Sequence, residues 1–294
     1  MGTAMVLVSA TGFGTLAIFA KLAYASGLGT EQTLAFRFTL GAIGMWALAS
    51  VLGQQPWRLA RRDLVILGLL GAVVYTGQSL TYFIALRTLP ASLVVLIAYI
   101  YPSLVVLAGW LFLRRKISIW HGVALAASFA GVAMLVGGAR LQIAWALVFA
   151  VASPAIYTGY ILIGERVMRS VPAVGASSVI MSGAALAFCA LAAFGHQLAP
   201  PRNLNGWAVA FGIALFPTML AISLFLAGLP RIGAARAALI STWEPVVTVI
   251  LAVALLGDRL SAVQVAGGVL VLLAVVVVQG AHLWRPGPPS AMKP

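Results

Sequence analysis

Apolar stretches of about 20 residues, the length of a membrane-spanning helix, follow one another along nearly the whole chain. Ten of them are expected as helices, over residues 3–25, 31–53, 64–86, 91–112, 119–138, 143–164, 175–197, 206–228, 234–256 and 261–283. Period-two alternation is absent, which argues against an outer-membrane barrel. Charged residues make up 8% of the chain and hydrophobic ones 63%, whereas a soluble domain carries roughly 25% charge. Such a chain cannot present a surface that water tolerates. The expected fold class is an all-α membrane protein with ten transmembrane helices.

The net charge of +13 invites a nucleic-acid reading. The basic residues argue against it, because they form short clusters between apolar segments, as positive-inside loops do. With the N-terminus placed inside, eleven Lys and Arg fall in inner loops and tail, four in outer loops and three within segments, accounting for all 18. Both termini are therefore expected on the cytoplasmic side of a plasma or inner membrane. Trp57, Trp110, Trp120, Trp145, Trp207 and Trp284 lie near segment ends, as an aromatic belt requires. Met5 to Ala20 has the look of a signal peptide but lacks a charged n-region, so it is read as a permanent helix. Cys189 stands alone in an apolar segment, and no pair of histidines has metal-ligand spacing. No cofactor or metal is implied.

An internal repeat organises these segments. Moving 143 positions pairs Ala91 with Ala234, Leu96 with Leu239, Pro102 with Pro245, Val106 with Val249 and Ser118 with Ser261. The halves are assigned as residues 1–140 and 141–284, followed by a tail, 285–294, whose Pro-Gly-Pro-Pro run is expected to be disordered. Each half holds five helices, an odd number, so the second enters the membrane inverted. Inverted repeats mark alternating-access transporters, whose substrate site lies near the midplane where the repeats meet.

Ser241-Thr242-Trp243-Glu244-Pro245 sits mid-way along its segment. Glu244 is the one carboxylate in the sequence with no segment end nearby. An ionised group at that depth costs about 2.5 to 3.5 kcal/mol on insertion scales, which makes it a functional candidate by default. It can bind a substrate ammonium, carry a proton, or accept bonds structurally. Pro245, Pro102 and Pro154 each remove a helix donor and are expected to break or open their helices. Tyr75, Gln78, Ser79 and Tyr82 share one helical face, and Tyr99, Tyr101, Tyr157 and Tyr160 also lie within segments. Tyrosine facing lipid belongs at headgroup level, so these point inward and are expected, with Ser241, Trp243 and Glu244, to line a substrate cavity. The alternative is plain interhelical hydrogen bonding. Lys21 and Arg37 lie near the expected outer ends of helices 1 and 2, where they snorkel to headgroups, form an outer gate with Glu31, or bind a substrate carboxylate.

The run Gly233 to Pro245, then Leu255-Leu256-Gly257-Asp258-Arg259-Leu260 and Gly267-Gly268, resembles the second repeat of the drug/metabolite transporter superfamily, EamA type. Ala85-Leu86, Leu89-Pro90-Ala91-Ser92, Tyr101-Pro102 and Arg37-Phe38 are similar to its first half. The family usually carries an acidic-basic pair after each proline-containing helix. Asp258-Arg259 keeps that pair, whereas Arg115-Lys116 does not. The resemblance implies a ten-helix exporter of small metabolites, with the amino-acid exporters, aromatic ones included, the best match in length and organisation. The expected partners are a small-molecule substrate and the lipid bilayer, with a monomer favoured and no nucleic acid. A permease for a nucleoside, vitamin or sugar-phosphate compound is the alternative, and a non-transporting scaffold is the reading from another class. An intramembrane enzyme would need a nucleophile-base pair or a metal, and the sequence supplies no intramembrane histidine. Facilitated efflux is favoured over proton exchange at this stage.

Overall fold

Within a bilayer every backbone N–H and C=O must find its partner inside the protein, which leaves helices as the economical solution for this composition. The computed structural model describes residues 1–114, 118–137, 144–167 and 171–280, with positions 234 and 235 described by their backbone. Among these residues ten helices are long and apolar enough to span a membrane: α1 (Gly2–Ala25), α2 (Thr30–Val51), α3 (Arg61–Thr88), α4 (Ala91–Leu113), α5 (Ile119–Val136), α6 (Ala144–Val167), α7 (Ala173–Phe194), α8 (Leu204–Ile232), α9 (Arg236–Leu256) and α10 (Ala262–Gly280). They match the expected segments to within a few residues. The expectations for the 285–294 tail, for Trp284 and for Arg115-Lys116 lie outside the described residues.

Two helices break where their prolines demand it. In α4 the helix stops at Ala98 and restarts at Tyr101, just before Pro102. In α9 it stops at Ser241 and restarts at Trp243, just before Pro245. Pro154 corrects the third expectation, because α6 runs unbroken through it from Ala144 to Val167. A proline is tolerated inside a spanning helix when neighbouring helices hold the turn in place, and α6 is gripped here by α3 and α4. Two further irregularities were not expected, although the second holds Pro217, which has no N–H for the Ile213 carbonyl. Leu70–Tyr75 in α3 and Leu215–Leu220 in α8 form wide π-helical turns. Thr76 and Thr218 each donate a hydroxyl proton at 2.9 Å to the carbonyl five residues earlier, Gly71 and Ile213. Such turns recur at functional sites because they rotate the side chains that follow.

The packing pairs equivalent helices of the two halves. Trp46 Nε1 donates to Ser182 Oγ at 2.9 Å, and Thr39 Oγ1 lies 3.5 Å from Cys189 Sγ. Positions rise along α2 as they fall along α7, so the two run antiparallel. In α5 and α10, Gln264 Nε2 donates to the Leu135 carbonyl at 3.3 Å, and Gly131 packs on Gly267. Ala124 meets Ala274 and Val278 further along, again an antiparallel run. Antiparallel packing of equivalents is what an inverted repeat produces. Other contacts are exchanged between halves: α1 packs on α8 and α9, and α6 packs on α3 and α4. The first helix of each half thus completes the core of the other.

The seam between halves is sealed at one end by Asp258. Gly257 takes the left-handed conformation (φ 70°) that ends α9, and Asp258 follows it to the start of α4. Its Oδ2 accepts from the Ser92 backbone N–H at 2.9 Å and the Ser92 hydroxyl at 2.8 Å. Lys21 lies within electrostatic reach of the same carboxylate. In the repeat Ser92 is matched by Ala235 and Asp258 by Arg115, so the Ser-Asp pairing of residue types occurs once. Asp258→Ala should therefore remove a helix cap worth about 1 kcal/mol and lower the unfolding temperature by a few degrees. Arg259→Ala is the control expected to change little, and thermal unfolding in detergent reads both.

Candidate functional site

Because α6 crosses into the first half, its two tyrosines meet those of α3 and α4. Tyr75 stacks on Tyr160 with ring centroids 5.1 Å apart, and Tyr160 stacks on Tyr157 at 5.5 Å. Tyr157 meets Tyr101 edge-to-face at 5.0 Å, and Tyr101 meets Tyr99 at 5.9 Å. Offset and edge-on geometries are those that aromatic quadrupoles prefer. Phe38 and Phe188 extend the row beyond Tyr75, with centroid spacings of 5.4 Å each. Tyr75, Tyr101, Tyr157 and Tyr160 keep some accessible surface although their rings face other helices. The four rings thus form a continuous stack between α3, α4 and α6 that stays partly accessible.

At one end of this row is the broken helix of α9. The Tyr99 hydroxyl lies 2.7 Å from the Ser241 carbonyl and 3.1 Å from Glu244 Oε2. Pro245, four residues on from Ser241, has no N–H to offer that carbonyl, so the tyrosine takes the place of the missing helix bond. The Ser241 hydroxyl turns back to the Ala237 carbonyl at 2.9 Å. On the far side of Glu244 lies α1. A Cβ on Gly14 would fall 2.8 Å from Val247 Cβ and 2.9 Å from the Glu244 carbonyl. Ser9 donates to the Ala221 carbonyl at 2.6 Å. The small residues of Ser9–Thr15 thus serve close packing of α1 against α8 and α9. Among the described residues no cation pairs with Glu244, and its side-chain partner is Tyr99.

At the other end of the row is Arg37. Its residue is 3% exposed, so it neither snorkels nor stands in an outer vestibule; α2 carries it into the core. Its Nε donates to Thr218 Oγ1 at 3.0 Å, and Tyr75 is a second hydrogen-bonding neighbour. Thr218 lies in the wide turn of α8, and Tyr75 closes the wide turn of α3. Arg37 therefore ties both turns together. Its Cζ sits 4.8 Å from the Phe38 ring centroid and 5.9 Å from that of Phe83, contacts in which a ring face offsets part of the cost of a desolvated cation. Among the described residues no carboxylate faces it. Tyr82 lies between the poles, within electrostatic reach of both Arg37 and Glu244.

The remaining candidates divide. Gln78 Nε2 donates to Ser153 Oγ at 3.1 Å, which joins α3 to α6 beside the tyrosines. Ser79 is buried and donates to Gln78 Oε1 at 3.3 Å, a supporting position. Trp243 stands apart from the row: it is 41% exposed and its indole N–H donates to Thr11 Oγ1 at 3.2 Å. Lys21 belongs to the Asp258 contact. Ser153, Thr218 and Phe188 were not expected at the site, since their types and positions resemble any other buried residue, and Phe38 was singled out only as part of the Arg37-Phe38 motif.

Ten spanning helices with paired equivalents, two broken helices meeting at depth, and a polar aromatic interior define a multi-pass membrane protein of the transporter class. The sequence pattern of the EamA-like transporter family matches residues 1–137 and again 144–279, and the chain belongs to that family. It is 26% identical over 279 residues to the uncharacterized transporter YcbK of Bacillus subtilis, covering 90% of this chain and 88% of that one. It is 28% identical over 177 residues to the uncharacterized inner membrane transporter YedA of Escherichia coli, covering 59% of this chain and 56% of the other. A protein of known crystal structure shares the fold at a TM-score of 0.66 and 20% identity, over 97% of this chain and 99% of that one.

Proposed function

We propose that this protein is a secondary transporter of the inner membrane that exports amino acids, aromatic ones included. Its termini are cytoplasmic, and alternating access arises as the halves 1–140 and 141–284 rock about the tyrosine row. The observation that carries this reading is the row itself, with a buried cation, Arg37, at one end and a lone carboxyl, Glu244, at the other. In a low-dielectric interior such poles act over more than contact distance. They favour a zwitterion whose carboxylate points towards Arg37 and whose ammonium points towards Glu244. Tyrosine faces suit both an ammonium and a flat apolar side chain, and Gln78 and Ser241 add polar contacts. Phosphate-bearing substrates would need several inward cations, and among the described residues Arg37 is the one hydrogen-bonded into the row. The role of Lys21 is read as part of the outer closure, through Asp258, with the gate assigned to it from sequence kept as its function.

A second reading, export of aromatic amines without a carboxylate, is favoured by the bonds that Arg37 already makes to Thr218 and Tyr75. Counterflow in proteoliposomes decides. Vesicles loaded with unlabelled L-phenylalanine should accumulate labelled L-phenylalanine, and external L-tryptophan should compete while nucleosides and sugar phosphates do not. Competition by phenylethylamine with none by phenylalanine would establish the second reading. No flux of any amino acid would overturn the first.

A further inference from the structure

We propose that Glu244 is a proton-binding site in this conformation, neutral and donating its proton to the Tyr99 oxygen, and that a substrate ammonium displaces that proton. Tyr99 has one phenolic proton and two acceptors in range, the Ser241 carbonyl at 2.7 Å and Glu244 Oε2 at 3.1 Å. Pro245 has left the carbonyl without its helical donor, and the shorter contact is to that carbonyl. With the phenolic proton placed there, the contact between Tyr99 Oη and Glu244 Oε2 joins two oxygens. It is a bond when the carboxyl supplies the hydrogen and a repulsion when the carboxyl is ionised.

The surroundings point the same way. The titratable groups that face Glu244 are Tyr99 and Tyr101 from α4, Tyr157 from α6 and Tyr82 from α3, and all of them are neutral phenols at physiological pH. At this level α1 presents Thr11 and Gly14. The span of α10, Ala262–Gly280, contains no ionisable residue, and the charged residue of α8, Arg231, is in its last turn. Arg236 lies about two turns away on α9 itself. An ionised carboxylate enclosed without a cation is costly, whereas the neutral form lets both the phenolic and the carboxyl hydrogen find an acceptor.

An arriving ammonium changes that balance, because it supplies the missing positive charge. The carboxyl O–H bond breaks, its proton passes to water on the open side, and the carboxylate pairs with the ammonium. Tyr99 keeps its bond to Ser241. When the substrate leaves on the other side, the carboxylate takes a proton from that side and the original bonding returns. Resting on the export reading, this gives one proton inward for each zwitterion outward, a cycle that moves net charge. The bonding pattern thus reverses the sequence-based preference for facilitated efflux.

The test uses the whole protein in weakly buffered detergent solution, with L-phenylalanine as the probe. Binding to the wild type should release a proton, detected with a pH dye. Glu244→Gln, whose amide can still donate to Tyr99, should stay folded and release none. Binding by the wild type without proton release would overturn the inference and leave the transport reading intact. If phenylalanine fails to bind at all, the amino-acid reading fails, and infrared spectroscopy then decides the inference alone. A protonated-carboxyl band present in the wild type and missing in Glu244→Gln upholds it, and no such band overturns it. Tyr99→Phe should move that band, a signature that a purely structural tyrosine would not give.

Discussion

Replacing Arg37 with methionine should abolish transport while leaving the folded protein at least as stable. Burying a cation without an acidic partner costs several kcal/mol, and well-packed apolar replacements of buried charges are often neutral or stabilising. The bonds that Arg37 makes to Thr218 and Tyr75, with its ring contacts to Phe38 and Phe83, recover part of that cost. Stability therefore gives no reason for the charge to be there. The proposed pairing with a substrate carboxylate does, since losing one member of a desolvated charge contact typically costs about 2 to 5 kcal/mol, equivalent to a loss of roughly 30-fold or more. Counterflow of L-phenylalanine should fall by at least that factor, with the unfolding temperature unchanged or higher. Arg37→Lys should recover little, because a compact ammonium cannot reproduce the planar guanidinium that stacks over rings while bonding two hydroxyls. A variant with full transport would remove Arg37 from the site.

The second large effect is steric. A Cβ on Gly71 would lie 1.9 Å from the carbonyl oxygen of Ile180, and one on Gly183 would lie 2.3 Å from that of Gly68. Both obstacles are backbone, so no side-chain rotation relieves them, and α3 must part from α7. Overpacking usually costs about 1 to 3 kcal/mol and occasionally more. Gly71→Ala should fall at the upper end, since it also strains the wide turn that carries Tyr75. The folded yield should drop sharply on size exclusion, with a lower unfolding temperature in whatever survives. Gly68→Ala, one turn away with no atom near its Cβ position, should behave like the wild type. Equal tolerance of the two alanines would show that α3 and α7 do not pack as described.

Some of the site was legible in the sequence. Pro102 and Pro245 act through the donor they lack, a local property, so their helix breaks could be located to within a residue or two. The inward tyrosines followed from the cost of a phenol in hydrocarbon away from the headgroups. Pro154 shows the limit of that reasoning. The same missing donor breaks two helices and leaves the third intact, because the outcome depends on the neighbours that hold the turn.

What the sequence by itself determined is the part fixed by length and local chemistry: the helices, their bounds to within a few residues, and the doubling of the chain. Tertiary structure alone decided that α1 and α6 change halves, that two wide turns converge on Arg37, and that Tyr99 stands over Glu244. The physical reason lies in the solvent. In water an apolar face must be buried, so hydropathy tells inside from outside. In a bilayer the lipid and the protein core are equally apolar, and an apolar helix reads the same whichever it faces. Which polar groups meet is then set by packing across the sequence, at separations such as the 145 residues between Tyr99 and Glu244.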